Sequence, residues 1–280
     1  PEEATSDLAC QAARRALAAA GVEPAELDLI AVGTITADRV TPSTACILQD
    51  RLGAPRAICF DFQAACTGLL YGLELAHGLM DRRRTCAKAL IIGAEKMSML
   101  TNWHDRNTCV LFGDGACALV LARAESGAEV LATRLASNGE YSDILLVPAG
   151  GSRQPLTPEN ISANLQYLVM QGQEVFKLAV TAMTDACRGV LADAGVGIGQ
   201  VRWLIPHQAN LRIIKAIGNR LGIADERVYC NVQRYGNTSA ASIGIALDEL
   251  VRSGQVKRGD LILLTAFGAG LTWGATLVRW

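Results

Sequence analysis

One cysteine in the chain occupies a position that favours nucleophilic chemistry. Cys66 stands where a predicted strand and turn lead into a helix, in the stretch QAACTGLLYG. A cysteine at a helix N-terminus lies at the positive end of the helix dipole, which favours the thiolate. Small neighbours leave room for a substrate and a sharp turn. Cys66 is therefore a candidate nucleophile, with a packed, inert cysteine as the ordinary alternative.

Three other positions could assist such a nucleophile. His207 ends an apolar strand in PHQAN, and α/β sheets place their chemistry at the carboxyl ends of strands. Asn237 lies in YGNTSAAS, where a helix N-cap is the alternative role. The N–H groups of the turn Gly268-Ala269-Gly270 could bind an oxyanion, if it is more than a tight turn. A buried structural histidine is the alternative for His207.

Composition excludes several classes of protein. Half of the 280 residues are hydrophobic and 19% are charged, so the chain needs a large core and is not disordered. With 26 basic and 27 acidic residues, it has no global attraction for nucleic acid. Aromatic residues make up only 5%, and there are 27 glycines. This profile is typical of layered helices and buried strands.

Cysteine and histidine counts disfavour a metal or redox protein. The nine cysteines include no C-x-x-C pair, and there are only three histidines. We expect no metal site, and we expect eight of the cysteines to be reduced, buried thiols of a cytoplasmic protein. The uncharged run 261–278 is broken by glycines, so it indicates paired buried strands rather than a membrane helix.

Helical and strand patterns alternate along the chain. The predicted first-half elements are a helix over 9–20, a strand over 27–33, a helix from the cap Thr41 to Leu52, a strand over 57–60, a helix over 66–80, and strands over 88–93 and 117–122. Segments of this order recur: 20–22 matches 194–196, 51–53 matches 220–222, and 57–60 matches 228–231.

The recurrence predicts two duplicated α/β halves that share a core. We expect an N-terminal half over 1–124, a connection over 125–171, and a C-terminal half over 172–280. The helix that begins at Cys66 then aligns with one that begins at Asn237. A pseudo-twofold axis would direct both helix N-termini toward the centre.

Together, the stretches ACTGLLYGL, PHQANLRI, YGNTSAAS and FGAGLTWG resemble β-ketoacyl-acyl-carrier-protein synthase III across the whole chain. This family is the condensing enzyme that starts type II fatty acid synthesis, and it belongs to the thiolase superfamily. The resemblance implies a thiolase-like fold of two halves in five αβαβα layers. It also implies the catalytic set Cys66, His207 and Asn237. Elongating relatives use two histidines, and this chain lacks a suitable second one.

The implied reaction is a decarboxylative Claisen condensation. An acyl-CoA would acylate Cys66, and malonyl-acyl-carrier-protein would then lose CO₂ and attack the acyl group. His207 and Asn237 would stabilise the enolate, and the N–H groups of Cys66 and Ala269 would form the oxyanion hole. The acyl-CoA is a substrate, and neither a metal nor another cofactor is required.

The resemblance assigns further positions around the substrates. It implies that substrate and CoA contact Arg106, Phe176 and Asn210. It implies that Val40 crosses a homodimer interface and bounds the neighbouring acyl pocket, where a residue smaller than phenylalanine leaves room for primers longer than acetyl. A basic rim could dock the acidic carrier protein, with a generic solvated face as the alternative; its residues are Lys177, Arg212, Lys215 and Arg220.

Three questions stay open at the level of sequence. The family has a first strand and part of its CoA site before the point where this chain begins, so we expect the first half to lack that strand. A secondary-metabolism relative with another primer or acceptor would carry the same motifs. A catalytically inactive dimer partner is a further alternative, which the intact Cys66, His207 and Asn237 disfavour.

Overall fold

The computed structural model describes residues 2–124 and 127–280. Pro1, Glu125 and Ser126 lie outside the described residues, so the first two positions of the expected connection over 125–171 are not covered.

Helices and strands alternate through both halves of the chain. The helices are α1 (Thr5–Ala20), α2 (Thr44–Leu52), α3 (Gly68–Arg82), α4 (Pro158–Ser162), α5 (Gly172–Asp193), α6 (Leu211–Leu221), α7 (Val232–Tyr235) and α8 (Ser242–Arg252). The strands are β1 (Leu29–Gly33), β2 (Ile58–Phe62), β3 (Lys88–Glu95), β4 (Gly115–Ala122), β5 (Glu129–Ser137), β6 (Leu145–Leu146), β7 (Val169–Met170), β8 (Val201–Pro206), β9 (Leu261–Gly268) and β10 (Thr272–Arg279).

The two four-stranded sheets share the arrangement of three of their strands. The first has the order β2-β1-β3-β4 and the second β5-β10-β9-β8. β1 runs parallel to β3, which pairs antiparallel with β4; in the same way β8 runs parallel to β9, which pairs antiparallel with β10. β5 lies within 125–171 but pairs with β10, so this segment contributes a strand to the second sheet. The proposed division of the chain at residues 124 and 171 remains a prediction.

Helices and sheets stack in five layers, as the resemblance implied. α1 and α2 cover the outer face of the first sheet, α3 and α8 lie between the sheets, and α5 and α6 cover the outer face of the second. Strand side chains alternate between these layers: Ala89 and Ile91 of β3 face the centre, whereas Leu90 and Ile92 face α1. Both faces of β3 are covered, and the residues between its charged ends, 89–94, are accordingly all hydrophobic or glycine.

The N-cap of helix α2 is Ser43, two residues after the predicted cap at Thr41, so that prediction is wrong. Oγ of Ser43 accepts a 3.2 Å hydrogen bond from the N–H of Cys46. The next free N–H groups, of Thr44 and Ala45, donate to the Asp61 carboxylate on β2 at 2.6 and 2.8 Å. A carboxylate distant in sequence therefore helps to fix where the helix starts.

The helix starts of the two halves meet at the centre, but in a different register from the predicted one. Ala65 and Ser239 each begin a 3₁₀ turn with a left-handed backbone, at φ values of 45° and 49°, and these turns lead into α3 and α8. Cys66 is therefore the counterpart of Ala240, and Asn237 lies upstream of its turn. A methyl group on Gly68 would lie 2.9 Å from Cβ of Ala240. Only a glycine at position 68 allows this close approach.

All nine cysteines are free thiols, but only four of the eight outside the candidate site are buried. Cys46 is exposed on α2, and Cys59, Cys109 and Cys230 are half-buried, so the expectation of eight buried thiols is wrong. The uncharged run 261–278 forms β9 and β10, as expected. None of the helices among the described residues is long and apolar enough to cross a membrane.

Candidate active site

A cleft at the meeting point of the halves brings five predicted site residues together. With its open mouth it contains about 790 Å³ of empty space. Most of its wall is apolar. It is contributed by α5, by β9 and by Leu111 and Phe112 in the loop between β3 and β4. The predicted residues that line it are Cys66, His207, Asn210, Asn237 and Ala269. A mostly apolar cleft with a few convergent polar groups is typical of a ligand site.

Threonine side chains join the Cys66 turn to the β9–β10 turn. Oγ1 of Thr67 donates to the Ala64 carbonyl at 2.5 Å and lies 2.7 Å from Oγ1 of Thr272. Thr272 in turn lies 3.2 Å from the carbonyl of Ala269. These contacts hold Cys66 and Ala269 on one wall, as an oxyanion hole of their N–H groups requires.

Gly268 allows the same two turns to approach each other. A methyl group on Gly268 would lie 2.7 Å from the backbone N of Cys66 and 3.1 Å from its Cβ. Because backbone atoms cannot move aside as a flexible side chain can, this position requires glycine. The close contact sets the position of the nucleophile relative to the turn.

Burial of the Cys66 thiol opposes the thiolate that its position at a helix start favours. Burial raises its pKa to about 12, and the charge of Glu95 acts in the same direction. The Ser239 hydroxyl, the N–H of Cys66 and the Asn237 side chain lower the pKa, but their combined effect is smaller. Desolvation therefore outweighs the favourable position at the helix start. The thiol must lose its proton during the reaction rather than before it.

His207 is a neutral, fixed imidazole. It is 2% exposed, and burial lowers its pKa to about 4. Its N–H on the backbone donates to the Thr265 carbonyl at 2.7 Å, and Nδ1 lies 2.6 Å from Oγ of Ser242. Ser242 Oγ also accepts from the N–H of Gln208 at 3.4 Å. A Ser242 hydroxyl that donates to Nδ1 leaves the imidazole proton on Nε2, where it can donate into the cleft.

Asn237 presents its amide NH₂ group to the cleft. Its Oδ1 accepts from the N–H of Ser239 at 2.8 Å, which leaves Nδ2 as the donor toward the Cys66 sulfur and the cleft. Its backbone N–H donates to the Leu111 carbonyl at 2.7 Å, and its carbonyl accepts from Gly113 at 3.1 Å. Asn237 is thus held by a neighbouring segment of the first half, and it does not cap a helix.

Sequence reasoning missed three residues next to this set. Ser239 lines the cleft, Ser242 contacts His207, and Glu95 is fully buried at the end of β3. Both serines stand in YGNTSAAS, of which only Asn237 was predicted as a site residue. Glu95 had a signal: it is a charge that directly follows the apolar run ALIIGA, at the carboxyl end of a strand.

The remaining predicted residues do not line the cleft. Arg106 is exposed in the loop after β3, and Val40 is fully exposed before α2. Phe176 packs at the edge of the α5 core, while its neighbours Val175 and Ala179 form the cleft wall. The four predicted carrier-docking residues are exposed on α5 and α6; they are Lys177, Arg212, Lys215 and Arg220.

Asn210 both caps a helix and lines the cleft. Its Oδ1 caps α6 by accepting from the N–H of Ile213 at 3.0 Å, and the residue also lines the cleft. Its Nδ2 is therefore the group available to a ligand. Within residues 2–124 and 127–280, no cluster of three or more His, Cys, Asp or Glu side chains could hold a metal ion.

The arrangement suits acyl transfer rather than general base catalysis by histidine. It combines a thiol, two neutral N–H donors and a pair of joined turns in an apolar cleft. A neutral imidazole with a pKa near 4 is a weak base, but it is a good hydrogen-bond donor to a developing oxyanion.

Comparisons with known proteins agree with this chemistry. Residues 60–139 match the family model for 3-oxoacyl-[acyl-carrier-protein] synthase III, and residues 191–280 match the model for its C-terminal part. A curated relative, the beta-ketoacyl-[acyl-carrier-protein] synthase III of Caldanaerobacter subterraneus subsp. tengcongensis, is 49% identical over 280 residues, which are 100% of this chain and 84% of the relative.

Solved structures give the same result. The crystal structure of 3-oxoacyl-[acyl-carrier-protein] synthase III from Aquifex aeolicus VF5 superimposes with a TM-score of 0.92 at 46% identity, covering 100% of this chain and 86% of that one. The priming beta-ketosynthase from the R1128 polyketide biosynthetic pathway has a TM-score of 0.90 at 34% identity, over 100% of this chain and 83% of that one. The fold is thiolase-like.

Proposed function

Because the chain belongs to the 3-oxoacyl-[acyl-carrier-protein] synthase III family, we propose that it condenses an acyl-CoA primer with malonyl-acyl-carrier-protein at Cys66 and so initiates type II fatty acid synthesis. The observation that carries this proposal is that Cys66, His207 and Asn237 line one cleft. Each comes from a different segment of the chain, and no other thiol among the described residues lines the cleft.

In the first step the Cys66 sulfur attacks the thioester carbon of the acyl-CoA. The carbonyl oxygen gains negative charge, and the N–H groups of Cys66 and Ala269 receive it as an oxyanion hole. CoA leaves as the thiol, and an acyl-cysteine remains. Because the turns of Cys66 and Ala269 are joined through Thr67 and Thr272, the two donors are set in place before the substrate binds.

In the second step malonyl-acyl-carrier-protein enters the cleft and loses CO₂. Nε2 of His207 and Nδ2 of Asn237 donate to the malonyl thioester oxygen and stabilise the enolate. The enolate carbon attacks the acyl-cysteine, and the Cys66 sulfur leaves and takes up a proton. Neutral donors suit this step because a protonated histidine would lose its proton in so apolar a site.

The remaining family positions are proposed for binding. Nδ2 of Asn210 would contact the pantetheine arm, with Phe176 behind the cleft wall and Arg106 near the CoA nucleotide. The exposed basic residues would dock the acidic carrier protein by complementary charge; they are Lys177, Arg212, Lys215 and Arg220. No cofactor or metal takes part, since acyl-CoA is itself a substrate.

We also propose a homodimer in the cytoplasm. A fully exposed Val40 fits a residue that a second subunit covers, and there it would limit the length of the primer. Nine free thiols suit a reducing compartment. Equal dimer formation by Val40→Asp and the unmodified chain, measured by light scattering, would argue against this contact.

A second candidate function follows from one comparison. The priming beta-ketosynthase named above belongs to a polyketide pathway and is 34% identical to this chain. A different primer or acceptor is therefore compatible with the same catalytic set. An inactive dimer partner is not favoured, because all three catalytic positions are present.

The deciding experiment is incubation with a panel of acyl-CoAs, from acetyl to longer and branched chains, followed by intact mass spectrometry. The unmodified protein should gain one acyl group, and Cys66→Ala should gain none. Cys109→Ala, at a half-buried cysteine outside the cleft, is the matched control and should acylate normally. Acyl-carrier-protein assays with malonyl and other acceptors then separate the two candidate functions. Absence of an adduct with every primer would refute the mechanism.

A further inference from the structure

Glu95 is a buried carboxylate that the proposed reaction leaves without a role. It ends β3 beside the cleft and is 0% exposed. Oγ1 of Thr36 donates to its Oε2 at 2.7 Å, and Oγ1 of Thr34 donates at 3.2 Å. The N–H of Ile35 donates at 3.1 Å. A buried carboxylate costs free energy to retain, and so elaborate a set of donors indicates a charged form that is used.

Ser239 connects this carboxylate to the nucleophile. Its hydroxyl donates to Oε1 of Glu95 at 3.1 Å. The same side chain is within hydrogen-bond reach of the Cys66 thiol in the cleft. The backbone of Ser239 is held by the bond from its N–H to Oδ1 of Asn237, and its hydroxyl is oriented by the bond to Glu95. The hydroxyl is therefore held between the thiol and the carboxylate.

The cleft offers no equally suitable acceptor for the thiol proton. His207 is occupied at Nδ1 by Ser242, and its Nε2 is needed as a donor. Asn237 offers its NH₂ group and uses its Oδ1 for Ser239. The other side chains on the wall are apolar, apart from Asn210, which lies at the start of α6.

We propose that Glu95 takes up the Cys66 proton through the Ser239 hydroxyl while the sulfur attacks the acyl-CoA. The thiol proton passes to Oγ of Ser239, the Ser239 proton passes to Oε1 of Glu95, and the S–C bond forms. As the thioester bond to CoA breaks, the departing CoA sulfur takes one proton back by the reverse route. The net exchange is one acyl group for one proton, and Glu95 is unchanged.

The protonation behaviour of Glu95 supports this role. Burial raises its pKa to about 7, although the hydrogen bonds from Thr36, Ile35, Ser239 and Thr34 act in the opposite direction. A base is most effective when its pKa lies near the working pH. Glu95 can therefore hold or release a proton near neutral pH.

Few other titratable groups near Glu95 could produce an inflection near pH 7 in the reactivity of Cys66. Around Glu95 the β1–α2 loop contributes two hydroxyls and an N–H, and the turn before α8 contributes Ser239. The titratable group that faces it from the turn before α3 is the Cys66 thiol. The neighbouring Lys96 directs its ammonium to the Glu3 carbonyl.

The test is the pH dependence of Cys66 reactivity in the full chain. The inference rests on acyl transfer to Cys66, so two readouts are needed: single-turnover acylation by the best acyl-CoA, and carbamidomethylation of Cys66 by iodoacetamide, which needs no acyl substrate. In the unmodified protein both rates should rise with an inflection near pH 7. Glu95→Gln should lower the rate at pH 8 by about 10²-fold and abolish that inflection.

Two further variants separate a proton relay from a structural role. Ser239→Ala should also lose the inflection, since it interrupts the route and leaves Glu95 in place. Thr34→Val removes one donor to the carboxylate, so it should shift the inflection to higher pH and keep the plateau rate. A Glu95→Gln protein that is slower but keeps the inflection near pH 7 would overturn the relay. If iodoacetamide shows the inflection and no acyl-CoA gives an adduct, the relay stands and the acyl transfer does not.

Discussion

Nδ1 of His207 lies 2.6 Å from Oγ of Ser242, and both side chains are 2% exposed. Ser242 is the first residue of α8, so the helix that carries the second half's turn also orients the imidazole. This contact fixes both the ring orientation and the tautomer. With Nδ1 directed at Ser242, the neutral imidazole can donate to an enolate in the cleft only if the proton is on Nε2.

Removing this hydroxyl should impair the second half-reaction alone. In Ser242→Ala, Nδ1 loses its partner, and the two tautomers become closer in energy. We expect decarboxylation of malonyl-acyl-carrier-protein to fall by roughly 10-fold, with acylation of Cys66 unchanged. Ser253→Ala, just beyond the other end of the same helix and exposed, is the control and should behave as the unmodified protein. Unaltered decarboxylation in Ser242→Ala would contradict this assignment.

Loss of a donor to the enolate should slow decarboxylation without preventing acylation of Cys66. His207→Ala and Asn237→Ala each remove one donor, which is typically worth about 2.7–4 kcal/mol of barrier. Decarboxylation should therefore fall by about 10²–10³-fold in each variant, while the acyl adduct on Cys66 still forms. Release of labelled CO₂ and intact mass measure the two steps. Loss of the adduct in both variants would instead place these residues in the acylation step.

Gly268→Ala should displace the nucleophile. The added methyl group would lie 2.7 Å from the backbone N of Cys66, so one of the two turns must move. We expect acylation to fall at least 10²-fold because the oxyanion donors lose their alignment. Gly78→Ala, on α3 with no atom within 4 Å of the new methyl group, is the control, and it should be stabilising by up to about 1 kcal/mol. Equal acylation by the two variants would contradict the prediction.

Glu95 should make stability depend on pH in a direction opposite to that of most carboxylates. Burial raises its folded-state pKa from 4.5 to about 7, so the folded protein holds the proton more tightly than the unfolded chain. The unfolded chain is favoured as pH rises from 4.5 through 7, by about 3 kcal/mol in total.

Glu95→Gln removes this dependence. Relative to the unmodified protein, its free energy of unfolding should increase by up to about 3 kcal/mol between pH 4.5 and pH 8, measured by urea titration. Glu249→Gln is a useful comparison, because the pKa of that carboxyl is lowered and the trend should not appear. A constant difference between Glu95→Gln and the unmodified protein across this range would show that folding does not shift the pKa of Glu95.

The chemistry-bearing residues could be read from the sequence because each lies in a local signal. Cys66 and Asn237 stand among small residues at or just before helix starts, and His207 follows an apolar strand. The alternation of helices with buried strands was equally readable, since strands buried on both faces are mostly hydrophobic, and the five layers followed from the family resemblance. The predictions were wrong for features that depend on contacts between residues far apart in the sequence. Asp61 helps to set the start of α2, and the pairing of turns in three dimensions makes Ala240, not Asn237, the counterpart of Cys66.

The sequence by itself therefore determined the family and, through that resemblance, the layer order, and it predicted Cys66, His207 and Asn237 as the catalytic side chains, because the resemblance depends on short motifs. Only the tertiary structure decided their protonation. Desolvation raises the pKa of Cys66 and Glu95 and lowers that of His207, and it depends on what the whole fold packs around each group. The same is true of Ser239 and Ser242, whose partners lie 144 and 35 residues away along the chain.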